Sequence, residues 1–424
     1  MSSLVAVLFD RVAGIVERDP AGRIRLEYNE DWRHSEHATP LSLSLPLRHR
    51  HHASPAVAAY LWGLLPDNEQ ILERWSRRFH TSARSALGLL SQVGEDCAGA
   101  VRFVTAERAG ELPSEGEGDV VWLSEREISE RLRELREDSS RWRRPNDEGQ
   151  FSLGGAQGKT ALYCEADRWG LPRGRRPTTH VLKPPLGGLD GHVENEHFCL
   201  RLARAAGLPA AASQVRTFGG ETAIVVERYD RVRTATGVAR VHQEDVCQAL
   251  GVHPASKYQS DGGPGPGDVA ALLRSHSTQA TDDVLTFLGA LAFNWIVAGT
   301  DAHAKNYSVL IGRGGRARLA PLYDLASALP YPDIDPRRMK LAMKIGGKYR
   351  VHEIGARQWD KLADETALSS NDVRETLQRM THNVAEQAPQ VLAGLTDTGL
   401  AHPLLARLSS LVVEHARACE RIFR

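Results

Sequence analysis

The stretch Thr300-Asp301-Ala302-His303-Ala304-Lys305-Asn306 follows a long apolar segment at 284–298 and leads into a short hairpin. The apolar segment is too short to span a bilayer, so it predicts a buried helix. Tyr307–Ile311 and Ala317–Pro321 then predict two strands joined by a glycine-rich turn. Tyr323-Asp324 stands just after this hairpin. The predicted order is therefore helix, polar loop, hairpin and a second polar segment.

Asp301, Asn306 and Asp324 carry the chemistry of this region. Asn306 follows Asp301 by five residues, and Asp324 comes after the hairpin. Phosphoryl transfer uses an Asp to orient or deprotonate the attacking hydroxyl, and an Asn and a second Asp to hold Mg²⁺ through oxygen ligands. Protein kinases place these residue types in this order, but the usual His-Arg before the base and Phe-Gly after the metal-binding Asp are missing here. The pattern predicts a kinase-type site; the alternative is that Asp301 and Asn306 cap a helix end and Asp324 begins the next helix.

A glycine-rich loop lies ahead of a predicted strand at Thr160–Cys164. Its residues are Gly154, Gly155, Ala156, Gln157, Gly158 and Lys159. Such a loop lets backbone N–H groups approach phosphates. A Walker A motif is excluded, because Leu153 stands where that motif needs glycine and because a strand follows instead of a helix. A kinase-like glycine loop fits better, and an ordinary hairpin turn is the alternative.

Two further segments complete the candidate site. Lys183 ends the predicted strand His180–Lys183, where a kinase lysine would neutralise phosphates and pair with a helix glutamate. The next helix offers Glu194 and Glu196, of which we favour Glu196; a surface lysine in an ordinary ion pair is the alternative.

The apolar strand that ends at Glu227-Arg228-Tyr229 stands where a kinase hinge would offer backbone groups to adenine. Asp230 and Arg231, which follow, are equally well explained as structural ion-pair residues.

Composition limits the class of protein. The chain has 424 residues, with 53 Lys and Arg against 53 Asp and Glu, so it lacks the positive excess that drives non-specific nucleic-acid binding. The five cysteines are scattered, which predicts reduced thiols in a cytoplasmic protein. The first ten residues predict a strand and not a signal peptide, and no membrane segment is expected. Arg48–His52 predicts a solvated loop, because no carboxylate or cysteine accompanies its histidines at metal-ligand spacing.

The pattern along the chain predicts four regions and an α+β fold. Residues 1–105 form a subdomain with a small antiparallel sheet, in which the alternating leucines of Leu41–Leu47 predict one strand. Residues 106–150 contain a charged helix, Ser124–Glu137, and a linker. Residues 151–240 have β character and residues 241–424 are mainly helical. A cleft between a β-rich lobe and a helical lobe is a common ligand site.

These motifs, in this order, resemble the HipA-type serine/threonine kinase toxins of bacterial type II toxin–antitoxin systems. The resemblance covers nearly the whole chain. It also includes Asn29-Glu30-Asp31-Trp32, Leu64-Leu65-Pro66-Asp67-Asn68, Thr178-Thr179-His180, Gln243-Glu244-Asp245 and Lys257-Tyr258. It implies a two-lobed protein-kinase-like fold with an added N-terminal α/β subdomain.

The resemblance also implies roles for individual residues. Asp301 is the expected catalytic base, and Asn306 and Asp324 are the expected metal ligands. The expected nucleotide-binding residues are Gly154, Gly155, Ala156, Gln157, Gly158, Lys159, Lys183, Glu227, Arg228, Tyr229, His303, Ala304, Lys305, Asn306, Tyr323 and Asp324. Ser152 matches the serine that these kinases phosphorylate on themselves, and a phosphate there is expected to pull the glycine loop out of the ATP site. Two features depart from the family pattern, namely Gly158 in place of an acidic residue and a short segment between Lys183 and Glu194.

ATP and Mg²⁺ are the implied cofactors. The implied partner is a small dimeric helix-turn-helix antitoxin of the HipB type, through which operator DNA is mainly contacted. The best-known family substrate is glutamyl-tRNA synthetase, whose modification halts translation and promotes growth arrest and persistence, while other members modify other proteins. Two alternatives are a small-molecule kinase and an inactive kinase-fold scaffold or co-repressor; the presence of Lys183, Asp301, Asn306 and Asp324 argues against the scaffold.

Overall fold

The structure, a computed structural model, describes residues 3–19, 21–53, 55–110, 118–142 and 151–423. The α-helices in these ranges are α1 Glu30–Arg33, α2 Ala56–Gly63, α3 Glu69–Phe79, α4 Ala86–Val93, α5 Ala106–Gly110, α6 Glu125–Glu137, α7 His192–Ala205, α8 Val246–Ala249, α9 Pro266–His276, α10 Ala280–Val297, α11 Ala356–Glu365, α12 Ser370–Asp397 and α13 Pro403–Arg421.

The β-strands of the described residues alternate with these helices mainly in the first 250 residues. They are β1 Ser3–Leu8, β2 Arg11–Arg18, β3 Ile24–Tyr28, β4 His51–Ala53, β5 Val101–Val104, β6 Val120–Leu123, β7 Thr160–Glu165, β8 Arg168–Pro172, β9 His180–Lys183, β10 Ser213–Phe218, β11 Glu221–Glu227, β12 Arg231–Thr234, β13 Gly237–Arg240, β14 Gln243–Asp245, β15 Ser308–Ile311, β16 Ala317–Leu319, β17 Lys340–Ile345 and β18 Lys348–Arg350.

The chain divides into two compact units by its internal contacts. The first unit comprises Met1–Pro184, Thr217–Ala255 and Val309–Ala317, and the second comprises Pro185–Arg216, Ser256–Ser308 and Arg318–Arg424. The four regions predicted from the sequence remain a prediction at the level of their boundaries.

An antiparallel five-stranded sheet opens the first unit, in the order β4-β3-β2-β1-β5. Its strands alternate as the sequence predicts: in β3, Ile24, Leu26 and Tyr28 are buried while Arg25 and Glu27 are exposed. Helices α2 and α4 lie against this sheet and contribute to the same hydrophobic core. The small antiparallel sheet predicted for the N-terminal region is confirmed.

The strand predicted at Leu41–Leu47 was wrong. Leu41, Leu43 and Leu45 are buried, but Ser42 between them is buried as well and Leu47 only partly, and the segment pairs with no strand among the described residues. Leu41 N–H donates to the Tyr28 hydroxyl at 2.8 Å, and that hydroxyl donates to the Leu45 carbonyl at 2.7 Å. Leu43 N–H donates to Glu244 Oε1 at 2.7 Å. The segment therefore lacks both the alternating burial and the pairing of a strand, and polar side chains satisfy part of its backbone.

A second sheet has the order β10-β11-β9-β7-β8-β6. The charged helix predicted at Ser124–Glu137 is confirmed as α6, which begins at a capping box formed by Ser124 and Glu127. Its buried stripe includes Ile128 and Leu132, which pack into the core of this sheet. The predicted polar segments on both sides, 107–119 and 138–149, fall partly outside the described residues.

Helix α10 is the centre of the second unit, and it confirms the buried helix predicted at 284–298. It begins at Ala280 and packs against α9, α12 and α13. By length and composition alone it could cross a membrane, but 72% of it is buried inside the protein. This burial is that of a core helix.

Glu244 is a fully buried carboxyl in the first unit. Its Oε1 atom holds the backbone of Leu43, and burial raises the pKa of Glu244 from 4.5 to about 8. Between these two values the folded protein holds a proton that the unfolded chain has lost. The free energy of unfolding should therefore fall as the pH rises from about 4.5 to 8.

Glu244→Gln should remove this part of the pH dependence. We expect the variant to gain about 3–5 kcal/mol relative to the wild type between pH 5 and pH 9, because the amide keeps the acceptor for Leu43 and cannot ionise. Urea unfolding at a series of pH values measures the difference. Glu414→Gln, at an exposed position, is the control and should leave the pH profile unchanged. If the free energy of unfolding changed with pH in the same way in Glu244→Gln and the wild type, Glu244 would not be the source of this pH dependence.

Candidate active site

The end of α10 directs the chain into the loop that carries Asp301. Ala298 adopts a left-handed conformation with φ of 51°, and Gly299 N–H donates to the Asn294 carbonyl at 2.7 Å. A Cβ atom at Gly299 would overlap the Asn294 side chain, so only glycine fits this position. The helix is thus capped by residues 298 and 299. Asp301 and Asn306 do not cap it, which removes one alternative to a functional site.

The structure brings Asp301 and Asn306 together. Asn306 Nδ2 donates to the Asp301 carbonyl at 2.8 Å, and His303 N–H donates to the same carbonyl at 2.8 Å. The Tyr258 hydroxyl donates to Asp301 Oδ1 at 2.6 Å, and its ring packs edge-on against His303 with centroids 4.8 Å apart. Asp301 is exposed. The Asp301 carboxylate is therefore fixed through one of its two oxygens, in a loop at the surface of the second unit.

Tyr258 is a residue whose role the sequence analysis missed. It was noted only as part of a motif, Lys257-Tyr258, and it lies 43 positions before Asp301. A conspicuous aromatic residue in a glycine-rich loop was the available signal, but nothing in the sequence names its partner.

A second anchor places Asp324. Leu322 is fixed on both sides, since its N–H donates to the Pro209 carbonyl and its carbonyl accepts from Ala211 N–H, each at 2.8 Å. The Tyr323 hydroxyl then donates to the Lys305 carbonyl at 2.7 Å, which joins this segment to the Asp301 loop. Asp324 has a left-handed φ of 52° and begins no helix. The second alternative of the sequence analysis, a helix start at Asp324, is therefore wrong.

Asn306 and Asp324 are suitable for a hard cation. Because Asn306 uses its amide nitrogen on the Asp301 carbonyl, its amide oxygen is the atom it presents elsewhere. An amide oxygen and a carboxylate suit Mg²⁺, which usually takes one or two protein ligands and completes its shell with water and phosphates. The described residues contain no cluster of three or more His, Cys, Asp or Glu that would indicate a metal site made of protein alone.

Ser152, the predicted phosphorylation site, is completely buried in the first unit. Its hydroxyl donates to the Leu64 carbonyl at 2.7 Å, and its N–H donates to the Asp96 carbonyl at 3.0 Å. Both acceptors belong to the N-terminal region. In this conformation Ser152 is a structural residue, and its hydroxyl is inaccessible to any phosphate donor.

The rest of the glycine loop is also held by specific contacts. Asp67 N–H donates to the Gly155 carbonyl at 3.1 Å, and Gly155 has a φ of +97° that favours glycine. Lys159 Nζ donates back to the Gly154 carbonyl at 2.7 Å. At Gly158 a Cβ atom would lie only 3.1 Å from the Ser139 backbone. Close packing against Ser139 therefore accounts for glycine where the family pattern has an acidic residue.

Lys183 and Glu196 are both buried, at 6% and 2% exposure, and they belong to different units. Lys183 ends β9, paired with Ile224 of β11. Glu196 lies on α7, and Glu194 on the same helix is partly exposed. The pairing of Lys183 with a helix glutamate remains a prediction.

Asn195, between the two glutamates, has a role that the sequence analysis missed. Its Nδ2 donates to the Ser327 carbonyl at 2.8 Å, and its Oδ1 accepts from Ser327 N–H at 2.9 Å. These two hydrogen bonds attach the segment that follows Asp324 to helix α7. Asn195 therefore helps to position Asp324.

Arg228 has a structural role that the hinge hypothesis did not include. Its guanidinium forms two hydrogen bonds to Asp230, at 2.8 and 3.0 Å, and one to the Cys97 carbonyl at 2.8 Å. The backbone N–H of Arg228 donates to the Thr179 carbonyl at 2.9 Å, and its backbone carbonyl accepts from the N–H of Arg231 at 3.1 Å. The nucleotide contact predicted for Arg228 stays a prediction beside this structural role. Its neighbours Glu227, which is exposed, and Tyr229, which is partly exposed, stay predicted hinge residues.

Asp96 is the centre of this ionic cluster. Its carboxylate accepts from Arg231 at 2.9 Å, from Arg240 at 3.3 Å and from the Thr178 hydroxyl at 2.6 Å, and Arg228 lies at 3.4 Å. Burial by itself would raise the pKa of Asp96, but the three guanidinium charges outweigh it and hold the pKa below its ordinary value. The interpretation of Arg231 and Asp230 as structural ion-pair residues is confirmed.

Comparisons with known proteins agree with this fold. Residues 4–104 match the family model of the HipA N-terminal domain, and residues 151–388 match that of the HipA-like C-terminal domain. Among curated relatives, the "Putative kinase Y4mE" of Sinorhizobium fredii is 38% identical over 393 residues, which are 91% of each chain. The "Serine/threonine-protein kinase toxin HipA" of Shewanella oneidensis is 29% identical over 88% of this chain and 84% of the relative.

A solved structure shows the same fold. HipA in the Shewanella oneidensis complex of HipA, HipB and operator DNA aligns with a TM-score of 0.85 at 25% identity, over 99% of this chain and 98% of the other. This match confirms the predicted fold class, an α+β fold of the two-lobed, protein-kinase-like kind. With both family models matched, the chain belongs to the HipA family.

Asp96→Asn should destabilise the protein severely. The amide cannot balance three buried guanidinium groups, and breaking such a cluster typically costs about 3–5 kcal/mol. Urea unfolding of the full chain measures the loss. Asp397→Asn, at an exposed position at the end of α12, is the control and should stay within about 0.5 kcal/mol of the wild type. A change of similar size in both variants would mean that Asp96 contributes no more than a surface charge.

Proposed function

We propose that this protein is the toxin component of a type II toxin–antitoxin system, a kinase that transfers the γ-phosphate of ATP to a serine or threonine of another protein. The observation that carries the proposal is the Asp301 loop, in which Tyr258 holds the carboxylate and Asn306 is fixed to the same turn. Membership of the HipA family supports the same activity. The named relatives include kinases, one of them a serine/threonine-protein kinase toxin.

Asp301 acts in this proposal as the base. One carboxylate oxygen is held by the Tyr258 hydroxyl at 2.6 Å, so the other is available to accept the proton of an attacking hydroxyl. Asn306 and Asp324 would hold Mg²⁺, which neutralises charge on the phosphates when bound. The nucleotide would be bound by Gly154 to Lys159, Lys183, Glu227 to Tyr229, His303 to Asn306, and Tyr323 with Asp324.

Phosphorylation of Ser152 would inactivate the enzyme. Since the hydroxyl is buried against the Leu64 carbonyl, the loop must first leave its site before the hydroxyl can accept a phosphate. A phosphoserine has lost the hydroxyl proton that Ser152 donates to Leu64, and its charge would face the Leu64 carbonyl oxygen. The phosphorylated loop would therefore stay out of its buried site, and it would lose the hydrogen bonds to Leu64 and Asp96 that hold it there.

The partners follow from the family. We propose a dimeric helix-turn-helix antitoxin of the HipB type that contacts operator DNA, in line with the HipA–HipB–DNA complex of the structural relative. The neutral net charge of this chain agrees with DNA contact mainly through that partner. The substrate would be a cytoplasmic protein of translation, with glutamyl-tRNA synthetase one candidate, and its modification would cause growth arrest and persistence.

Incubation with Mg²⁺ and ATP should add one phosphate to the wild-type protein, at Ser152. Intact-mass and peptide mass spectrometry detect it, and Asp324→Asn should acquire none because it lacks a metal ligand. Expression of the wild type, but not of Asp301→Ala, should arrest growth. No phosphate on Ser152 after a start from unmodified protein would remove the self-inactivation claim; failure to bind ATP as well would favour a scaffold.

Tyr258→Phe should lower kcat by about tenfold or more and leave the KM for ATP unchanged, because the phenylalanine keeps the ring packing on His303 but no longer orients Asp301. Initial rates of phosphate transfer to a serine peptide measure both constants. Tyr163→Phe is the matched control, since its hydroxyl donates to the exposed Glu165 in the first unit. An equal loss in both variants would argue against a special role for Tyr258.

A further inference from the structure

The hairpin β17–β18 and the turn before it concentrate positive charge in the second unit. The segment Arg337–Arg350 contains six lysines and arginines and no acidic residue, although the whole chain is neutral with 53 of each charge. The six are Arg337, Arg338, Lys340, Lys344, Lys348 and Arg350. Five of them are exposed and Lys344 is partly exposed. We call this surface the cationic hairpin.

Three carboxylates border the cationic hairpin in the sequence, those of Asp333 and Asp335 before it and that of Glu353 after it, so six cations face three anions. Lys348 and Arg350 share one carboxylate, that of Glu353, at 3.2 and 3.3 Å. Among the described residues, Arg337, Arg338 and Lys340 form no ion pair within 4.0 Å. Lys344 lies over the Tyr349 ring at 5.2 Å, and its charge offsets part of the rise that burial produces in the pKa of Glu365.

The register of the strands makes this concentration costly. Lys340 stands directly opposite Arg350 in the antiparallel pair. Like charges opposite each other across strands destabilise a hairpin. Two cations at such a position therefore gain from an anionic partner more than isolated surface charges would.

The cationic hairpin is joined to the segment that holds Asp301. Lys344 N–H donates to Gln259 Oε1 at 2.7 Å, and the preceding residue, Tyr258, holds the Asp301 carboxylate. The hairpin also follows Asp324 in the sequence by sixteen residues at Lys340. The cationic hairpin and Asp301 therefore belong to the same unit. A polypeptide whose hydroxyl reaches Asp301 could use the hairpin of that unit as a docking surface.

We infer that the cationic hairpin binds an acidic segment of the protein substrate. This inference rests on the proposed function, because the group that reaches Asp301 is then part of a polypeptide. An acidic peptide fits better than a nucleic acid: this cationic surface is one short hairpin, and the neutral chain lacks the broad excess of positive charge that nucleic-acid binding requires. Lysine and arginine on this surface would select substrates with several Asp or Glu near the phosphorylated residue.

Binding can be tested without phosphate transfer. The probe is a fluorescent peptide with one serine flanked by Asp and Glu, compared by anisotropy with the same peptide carrying Asn and Gln. The full-length wild type should bind the acidic peptide at least about tenfold more tightly, and the double variant Lys340→Glu/Lys344→Glu should lose this preference. Arg374→Glu/Arg407→Glu, at exposed positions on α12 and α13, makes the same charge change elsewhere and should bind like the wild type.

A second variant separates docking from folding. Lys340→Gln relieves the like-charge pair with Arg350, so it should keep or raise the melting temperature while it weakens peptide binding. With active enzyme, the charge-reversed variant should raise the KM for the acidic peptide about tenfold and leave kcat and the KM for ATP unchanged.

Three results would overturn the inference: equal binding of both peptides, equal loss in the Arg374→Glu/Arg407→Glu control, or displacement of the acidic peptide by a single-stranded RNA of equal charge at lower concentration. If no protein transfers phosphate but the binding results hold, the proposed kinase activity fails while the acidic docking surface stands.

Discussion

The buried carboxylate of Asp96 is the constraint on which the first unit depends. It accepts from Arg231 and the Thr178 hydroxyl, while its own backbone carbonyl holds the N–H of Ser152. A buried carboxylate is stable only when charges and donors surround it. Because that requirement fixes Asp96, it also fixes the glycine loop attached to its main chain. The N-terminal region thus shapes a loop that is far from it in the sequence.

Helix α10 has the corresponding role in the second unit, through polar residues near its two ends. Asp283, in the first turn, accepts from Arg318 and from Leu319 N–H at 2.9 Å, and so holds the strand that returns toward Asp324. Asn294, near the other end, donates to the Ala290 carbonyl and to the Tyr307 hydroxyl. These buried polar groups are satisfied by the segments that flank the Asp301 loop. The apolar helix is therefore also the support of the loop.

Charge is distributed locally in this protein, and the net value conceals it. One set of arginines is buried with Asp96 and Asp230, where it stabilises the fold and is closed to partners. Another set of cations lies on the cationic hairpin, where Lys348 and Arg350 share the Glu353 carboxylate. The two sets contain the same residue types. The buried set stabilises the fold, and the exposed set is accessible to a binding partner. A neutral composition therefore excludes a uniformly basic surface but not a specific anionic partner.

The sequence by itself determined the features that depend on neighbouring residues. The spacing of Asp301 and Asn306 places both in one turn, the capping box starts α6, and the apolar run gives the core helix. The order of such motifs also predicted the family and the fold class. Local hydrogen bonds and periodicity follow from short distances along the chain, so they can be read from the residues alone.

Only the tertiary structure decided which distant groups meet. The partner of Asp301 is Tyr258, 43 positions away, and that of Asp96 is Arg228, 132 positions away. The leucines of 41–47 alternate as in a strand, yet Tyr28 and Glu244 take the place of a neighbouring strand. A carboxylate or a backbone amide accepts any suitable partner that the fold supplies. The sequence lists these groups, and the packing of the chain selects among them.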